Sequence, residues 1–475
     1  MTTRTSGAIA AVMQPQSAAV IQCARTGSDA MTGTISIRAR TTAPGRLFAR
    51  LLRSSGKVVP KFAWHVVGES DGAEAGGELP QAPVGGEYTL ELELRARNGR
   101  VLGAASINRL LVGDLWITAG QSNMDGYGKL VGTEPPSRMV HAFYFDDRWD
   151  TARDPLCWYN EAVDSIHWGE RGPEKRPLAA ARDRRFRQAG SGPAVAFGKA
   201  IAARTGVPIG LVVCSHGGTS MEQWSPARCG EGGASLYGSL VRRVRAVGGK
   251  VTGIIWYQGE SDANTQAQPR YRQVMREFVA SMRRDLGAPD LSFLYVQIGP
   301  FYAGNEIAPM WNAIQSDQLG IEADLAPAAM TSAIDLGLDD AIHIDTVSQR
   351  RLGRRLAHLA EMLVYGRTAL RRGPRPANVR FANADRTTLR VRYTDVNMGL
   401  KPTRGIRGFW VRKDGQDIAI ERQEVDPNQP DTVVLRFEEP VPPGSELWYG
   451  LGINPAVNLV DDADMAAPVF GPVTI

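Results

Sequence analysis

Residues 113–128 read GDLWITAGQSNMDGYG and change character at their centre. Leu115, Trp116 and Ile117 sit in an apolar run without polar alternation, the pattern of a strand buried on both faces. The run stops at Gly120-Gln121-Ser122-Asn123-Met124, and a glycine-bearing loop follows. Strands buried on both faces belong to parallel sheets, and open parallel sheets bind ligands outside their strand carboxyl ends. Ser122 therefore stands where such a sheet does chemistry. A serine at a strand end can equally be a turn residue, so its meaning depends on what the rest of the chain brings to it.

Similar runs recur outward from this one: PIGLVVCS (208–215), VTGIIWYQ (251–258), LSFLYVQI (291–298) and APAAMTSAI (326–334). Between them lie helical patterns. PAVAFGKAIAARTG (193–206) has proline near its first turn and ends on Gly206, which suits a left-handed cap. YRQVMREFVASMRRDLG and VSQRRLGRRLAHLAEMLVYG carry apolar residues at helical spacing. Strands alternating with helices predict an α/β unit with a parallel sheet over residues 111–366.

The flanks differ. Residues 1–110 hold short alternating runs such as GTISIRA and EYTLELELRA, separated by Gly, Pro, Ser and Asp clusters, which predicts a β-sandwich-like module. Pro374 and Pro376 mark a linker, and residues 374–475 return to short strands, TLRVRYT and DTVVLRFEE among them. A chain of 475 residues is too long for a single core, in keeping with three units.

Composition excludes several roles. A net charge of +5 is small for this length and gives no concentrated basic face for nucleic acid. No apolar stretch reaches membrane-spanning length, so no membrane partner is expected. The N-terminal MTTRTSGAIAAVMQPQ lacks a secretory h-region, which slightly favours the cytoplasm over secretion. Cys23, Cys157, Cys214 and Cys229 are scattered without a Cys-x-x-Cys pair, so no metal site is expected.

A parallel sheet gathers the loops after its strand ends at one edge. Four loops there carry suitable polar groups: GQSNM (120–124), CSHGGTSMEQW (214–224), WYQGESDAN (256–264) and DLGLDDAIHID (335–345). A serine hydroxyl needs a base to take its proton and a third group to orient the base. His343 can be that base, and Asp340, three residues earlier, or its neighbour Asp339, can be the orienter. An oxyanion needs preorganised donors, for which the Ser122 N–H, a Gly217-Gly218 N–H and the Gln258 amide are candidates. His216, Glu260 and Trp224 are candidate sugar contacts; each is also a natural packing or loop-ordering residue. The long stretch 125–192 is predicted to wall the cleft. Its basic run, Arg171 to Arg187 with seven Lys/Arg and two acids, reads as a solvated loop or an anionic-sugar contact.

GQSNM, GGTSMEQW, WYQGESD and DDAIH, in this order, resemble the successive blocks of the SGNH (GDSL-like) hydrolases, in the sialate O-acetylesterase and carbohydrate acetylesterase branch. The resemblance extends to GGEYTLEL before the first block and ELWYGLGINPAVNLVDD near the end. It implies a three-layer α/β/α catalytic unit flanked by β modules. It also implies a cofactor-free serine esterase acting on an acetylated carbohydrate. Ser122 is implied as nucleophile, His343 as base, Asp340 as orienter, and Ser122, Gly218 and Gln258 as oxyanion donors. Plant cell-wall glycans are the alternative substrates to sialate, and a glycan-binding protein on the same scaffold is the non-enzymatic alternative.

Overall fold

The computed structural model describes residues 3–25, 31–168 and 172–475. Its organising element is strand β1 (Val101–Gly120), which lies in two environments along its length. In the first half, burial alternates, and the strand pairs antiparallel with Gly85–Arg95, Leu92 facing Ala105. From Leu110 to Gly120 every residue is buried. The change follows Arg109, whose φ of 61° breaks the regular pleat. The expected boundary between residues 110 and 111 thus falls inside one continuous strand, where alternating sequence gives way to the apolar run.

The second half of β1 is central in a parallel sheet. Its partners are β2 (Val140–Phe143), β3 (Ile209–Val213), β4 (Gly253–Tyr257), β5 (Ser292–Gln297) and β6 (Ala328–Ser332). They lie side by side in the order β2-β3-β1-β4-β5-β6, all parallel. Trp149–Thr151 closes the β2 edge antiparallel. After β1 the chain builds outward to one side and returns through β3, then β4 starts the other side. Ser122, just beyond β1, therefore sits where the connections diverge, the crevice that open α/β sheets use for ligands.

Helices α1 (Ala194–Thr205), α2 (Leu236–Ala246), α3 (Tyr271–Asp285), α4 (Ala308–Gly320) and α5 (Thr346–Leu363) connect or follow these strands. α1 ends on Gly206 at φ 74°, whose N–H bonds the Ala202 carbonyl, as its sequence predicts. α1 and α5 approach so closely that a Cβ on Gly353 would meet the Pro193 carbonyl oxygen at 2.3 Å. The resulting core runs from Trp116 through Trp256 and Phe278 to Leu356. No helix among the described residues is long and apolar enough to cross a membrane.

The N-terminal strands enclose their own core around Ile35, Leu47, Leu90 and Ile107. The C-terminal segment forms two four-stranded antiparallel sheets over a third core, with Val391, Leu435 and Leu447 at its centre. It is keyed to the α/β unit by Arg375, which donates to the Glu322 carboxylate (2.8 and 3.0 Å) and to the Met330 carbonyl. The four cysteines are free thiols.

α5 begins immediately after the loop that carries His343. Asp345 caps it, its Oδ1 accepting the Ser348 N–H at 2.8 Å while its own N–H bonds the Gly337 carbonyl. Asp345→Ala is expected to lower stability by about 1 kcal/mol, the usual value of a side-chain N-cap. Urea denaturation of the variant beside wild type measures it. An unchanged midpoint would mean that the loop, not the cap, holds the helix start.

Candidate active site

The four loops expected to converge do so around the end of β1. Gln121 N–H donates to the Tyr257 carbonyl at 2.8 Å, and His216 N–H donates to the Gly120 carbonyl at 3.0 Å. Gly120 is at φ 129°, and a Cβ there would strike Tyr257 O at 2.2 Å, so only glycine lets β1 end so close to its neighbour. Ser122 opens a single helical turn, Ser122–Asp125, all four residues of which are buried. The serine keeps 8% of its surface exposed.

Asn123 links this turn to the histidine loop. Its Nδ2 donates to the Ile342 carbonyl (3.2 Å) and its Oδ1 accepts the Ile344 N–H (3.0 Å), so one side chain grips the backbone on both sides of His343. The same Nδ2 donates to Glu260 Oε1 at 2.9 Å, which brings the third loop into the clamp. Glu260, expected at the sugar, thus stands behind Asn123, and burial pushes its carboxyl up to about 7.

His343 Nδ1 donates to Asp340 Oδ2 at 2.7 Å, which leaves Nε2 as the basic edge. Asp340 Oδ1 accepts the backbone N–H groups of Ile342 and His343 (2.9 and 2.8 Å). Burial pushes the Asp340 carboxyl up, but these donors outweigh it and hold it below the ordinary value. Asp339 instead accepts the Lys129 N–H at 2.9 Å and pairs with the Lys129 ammonium at 3.3 Å. Of the two acids left open by the sequence, Asp340 is the one on the ring.

Tyr127 was not singled out in the sequence. Its ring stacks on His343, centroids 4.4 Å apart and planes at 18°. A Cβ on Gly217 would lie 3.1 Å from the Tyr127 hydroxyl, so this one side chain spans from the histidine to the glycine loop. An aromatic between Gly126 and Gly128, directly after the serine turn, was the available signal.

The glycine loop offers one N–H and uses the other. Gly217 N–H donates to the Tyr159 hydroxyl at 2.7 Å, and that hydroxyl donates in turn to Asp125. Gly218 is exposed at φ 69°, and among the described residues no acceptor takes its N–H, nor that of Ser122. Gln258 is arranged differently from the expectation. It is fully buried, and its Nε2 donates to the Thr219 carbonyl (3.1 Å) and to Asp262, so both amide protons are committed within the loops. Burial pushes the Asp125 carboxyl up to about 6 against the opposing field of Arg187.

Trp224 is corrected from a sugar contact to a packing residue. It is fully buried, its Nε1 donates to Thr219 Oγ1 at 3.0 Å, and it meets Trp256 edge-on at 5.2 Å. His216 is half-buried, stacked on Tyr159 at 4.5 Å with its Nδ1 2.9 Å from His167 Nδ1. In the basic run, Arg171 lies outside the described residues. Arg184 covers Trp158 (3.9 Å) while pairing with Glu161, and Arg176 covers Trp168 (3.9 Å). These guanidinium groups build the 125–192 segment by cation–π stacking.

The converging loops thus carry a serine, a histidine bonded to a carboxylate, and backbone N–H groups of Ser122 and Gly218 that no acceptor among the described residues takes. The chain is similar over its full length to a carbohydrate acetylesterase of Xanthomonas citri, with a TM-score of 0.64, 21% identity and coverage of 97% of this chain and 99% of that one. That likeness supports the mixed α/β fold with its β flanks. A probable carbohydrate esterase of Arabidopsis thaliana is 30% identical over 254 residues, 51% of this chain and 88% of the plant protein. The family profile described as carbohydrate esterase, sialic acid-specific acetylesterase, matches residues 112–361. That match takes in all four loops and just over half of the chain, and so the protein belongs to this family of carbohydrate esterases and is a carboxylic ester hydrolase.

Proposed function

We propose that the enzyme removes O-acetyl groups from a carbohydrate through an acetyl-Ser122 intermediate. His343 Nε2 takes the Ser122 proton as Oγ adds to the acetyl carbonyl, and the Asp340 carboxylate steadies the imidazolium that forms. The N–H groups of Ser122 and Gly218 receive the developing oxyanion. His343 then protonates the departing sugar alcohol, and water activated by the same imidazole hydrolyses the acetyl-serine. The observation that carries this reading is the Asn123 clamp, which fixes the backbone of the oriented histidine to the residue next to the serine.

Within this reading, residues 111–366 act as an SGNH-type three-layer catalytic unit. Residues 1–110 and 374–475 act as supporting β modules, since each has a core of its own. The substrate class is an acetylated sugar, with sialate and cell-wall glycans as the competing members. The stacked arginines of the 125–192 segment give no preference for an anionic sugar.

The test is acetate release from p-nitrophenyl acetate and from acetylated sialic acid, xylan, xyloglucan and pectin, with Ser122→Ala alongside. Release that persists in the variant, or glycan binding without release in wild type, defeats the reading. The two acids give a sharper check. Asp340→Ala is expected to lower kcat about 100-fold, less than for a fully buried orienter because Asp340 is itself half open to water. Asp339→Ala, which breaks only the Lys129 contacts, should stay within about threefold of wild type, surface changes being mild. Reversal of that order in steady-state kinetics would move the orienting role to Asp339.

A further inference from the structure

Behind the glycine loop runs a file of polar groups that ester hydrolysis does not use. Asp164 is buried and accepts from Ser239 Oγ at 2.6 Å and from Arg242 at 2.8 Å. Ser239 Oγ lies 3.4 Å from His167 Nε2, and His167 Nδ1 lies 2.9 Å from His216 Nδ1. His167 is 2% exposed, packed between Phe145 (4.2 Å) and Tyr159 (5.9 Å), while Tyr159 stacks on His216. The file ends at His216, whose N–H holds the Gly120 carbonyl two residues before Ser122 and which directly precedes Gly217-Gly218.

The proton positions along this file follow from donor chemistry. An ionised carboxylate only accepts, so Ser239 gives its proton to Asp164 and turns a lone pair to His167. His167 Nε2 must then carry the hydrogen, since a bare nitrogen there would set two lone pairs against each other. A neutral imidazole has one N–H, which leaves His167 Nδ1 as an acceptor. His216 Nδ1 therefore donates to it, and His216 Nε2 is left without a proton. Both rings stay neutral at ordinary pH: burial pushes His216 down to about 4 and His167 well below its ordinary value. The Nδ1 edge of His216 faces the interior, so the opposite, Nε2 edge is the accessible one. Among the described residues no hydrogen bond takes that nitrogen.

We propose that Asp164, Ser239 and His167 hold His216 with a bare Nε2 at the rim of the Ser122 cleft, where it accepts a hydrogen bond from a free hydroxyl of the sugar being deacetylated. His216 is thereby a specificity-determining residue and the other three are positioning residues. The arrangement selects acetyl esters with a hydroxyl donor near the ester and disfavours an anionic oxygen at that point, because the Nε2 lone pair accepts the hydroxyl hydrogen but repels an oxygen that has none to give. This inference deepens the acetylesterase reading and rests on it.

Two measurements test it on the full chain. In the first, kcat/KM is compared for an acetylated methyl glycoside with a free hydroxyl beside the ester and for its deoxy counterpart. Wild type is expected to favour the hydroxylated substrate about tenfold, a typical worth for one well-placed hydrogen bond. His216→Phe, which keeps the stack on Tyr159, should reduce that ratio to about unity. In the second, nitrogen-15 spectra of the histidine-labelled wild-type protein should show His216 Nε2 unprotonated and Nδ1 protonated, independent of how any variant folds. A protonated Nε2, a wild type indifferent to the hydroxyl, or a preference that survives His216→Phe each overturns the proposal. Failure of the esterase reading itself would show separately, as acetate release that Ser122→Ala does not abolish.

Discussion

Ser122→Ala is expected to lower kcat for acetate release about 10⁵- to 10⁶-fold, the scale of losing the nucleophile of a serine hydrolase. The size follows from what remains. Without Oγ there is no covalent intermediate, and His343 can activate only water for direct attack on the ester. The backbone donors at 122 and 218 survive the change, so residual activity stays above the uncatalysed rate by about 10³-fold. Stability should hardly move, within about 0.5 kcal/mol, since Ser122 Oγ hydrogen-bonds no protein group among the described residues. His343→Ala should cost nearly as much, because a serine without its base is as inert as no serine. The double variant should then be no worse than either single one. Single-turnover acetate release on the two single variants and the double settles this. Strictly additive losses would mean that Ser122 and His343 work in separate steps, which the proposed mechanism does not allow.

The fold was legible where burial and periodicity agree. β1 shows this within one element: alternating residues up to Arg109 face a sheet with one wet side, and the unbroken apolar run beyond it is buried on both faces. The five expected strands and the helices between them appear for the same reason. The continuity of β1 across the two environments was not legible, since a change of pattern reads equally as a strand break. In the site, the meeting of the Ser122 turn with the His343 loop and the bond of Asp340 to the His343 ring were readable, because the serine chemistry proposed for these loops needs a base and an orienting acid and few residue types can serve as either. Gln258 and Trp224 were harder. A buried amide's orientation depends on which acceptors surround it, here Thr219 O and Asp262, and those are fixed only by the folded loops. An indole in a polar loop serves a sugar or a core equally well, and its burial against Trp256 and Phe278 decided for the core. Tyr127 and Asn123 escaped notice because each acts through a partner more than 200 residues away in sequence.

Asn123→Ala carries the second large effect, and it separates placement from chemistry. Asn123 is 1% exposed and touches three groups that stay buried when it goes: Glu260 Oε1, the Ile342 carbonyl and the Ile344 N–H. Each stranded partner costs about 1–3 kcal/mol, and local relaxation recovers part of it, so the loss of stability should be about 3–5 kcal/mol. On the folded fraction, kcat should fall about 10²- to 10³-fold with KM nearly unchanged, because a displacement of roughly 1 Å of a catalytic group is worth that much. Asn123→Asp distinguishes the clamp from mere filling of space. It keeps the acceptor for Ile344 N–H but points a second carboxyl at Glu260, whose own carboxyl burial already pushes up to about 7. Glu260→Gln added to Asn123→Asp restores a donor–acceptor match between the two side chains with the roles exchanged, and should recover about tenfold of kcat if position is the issue. If Asn123→Ala loses stability but its folded fraction turns over at the wild-type rate, the clamp is structural only. The His343 loop would then find its place against Ser122 through Tyr127 and the α5 cap alone.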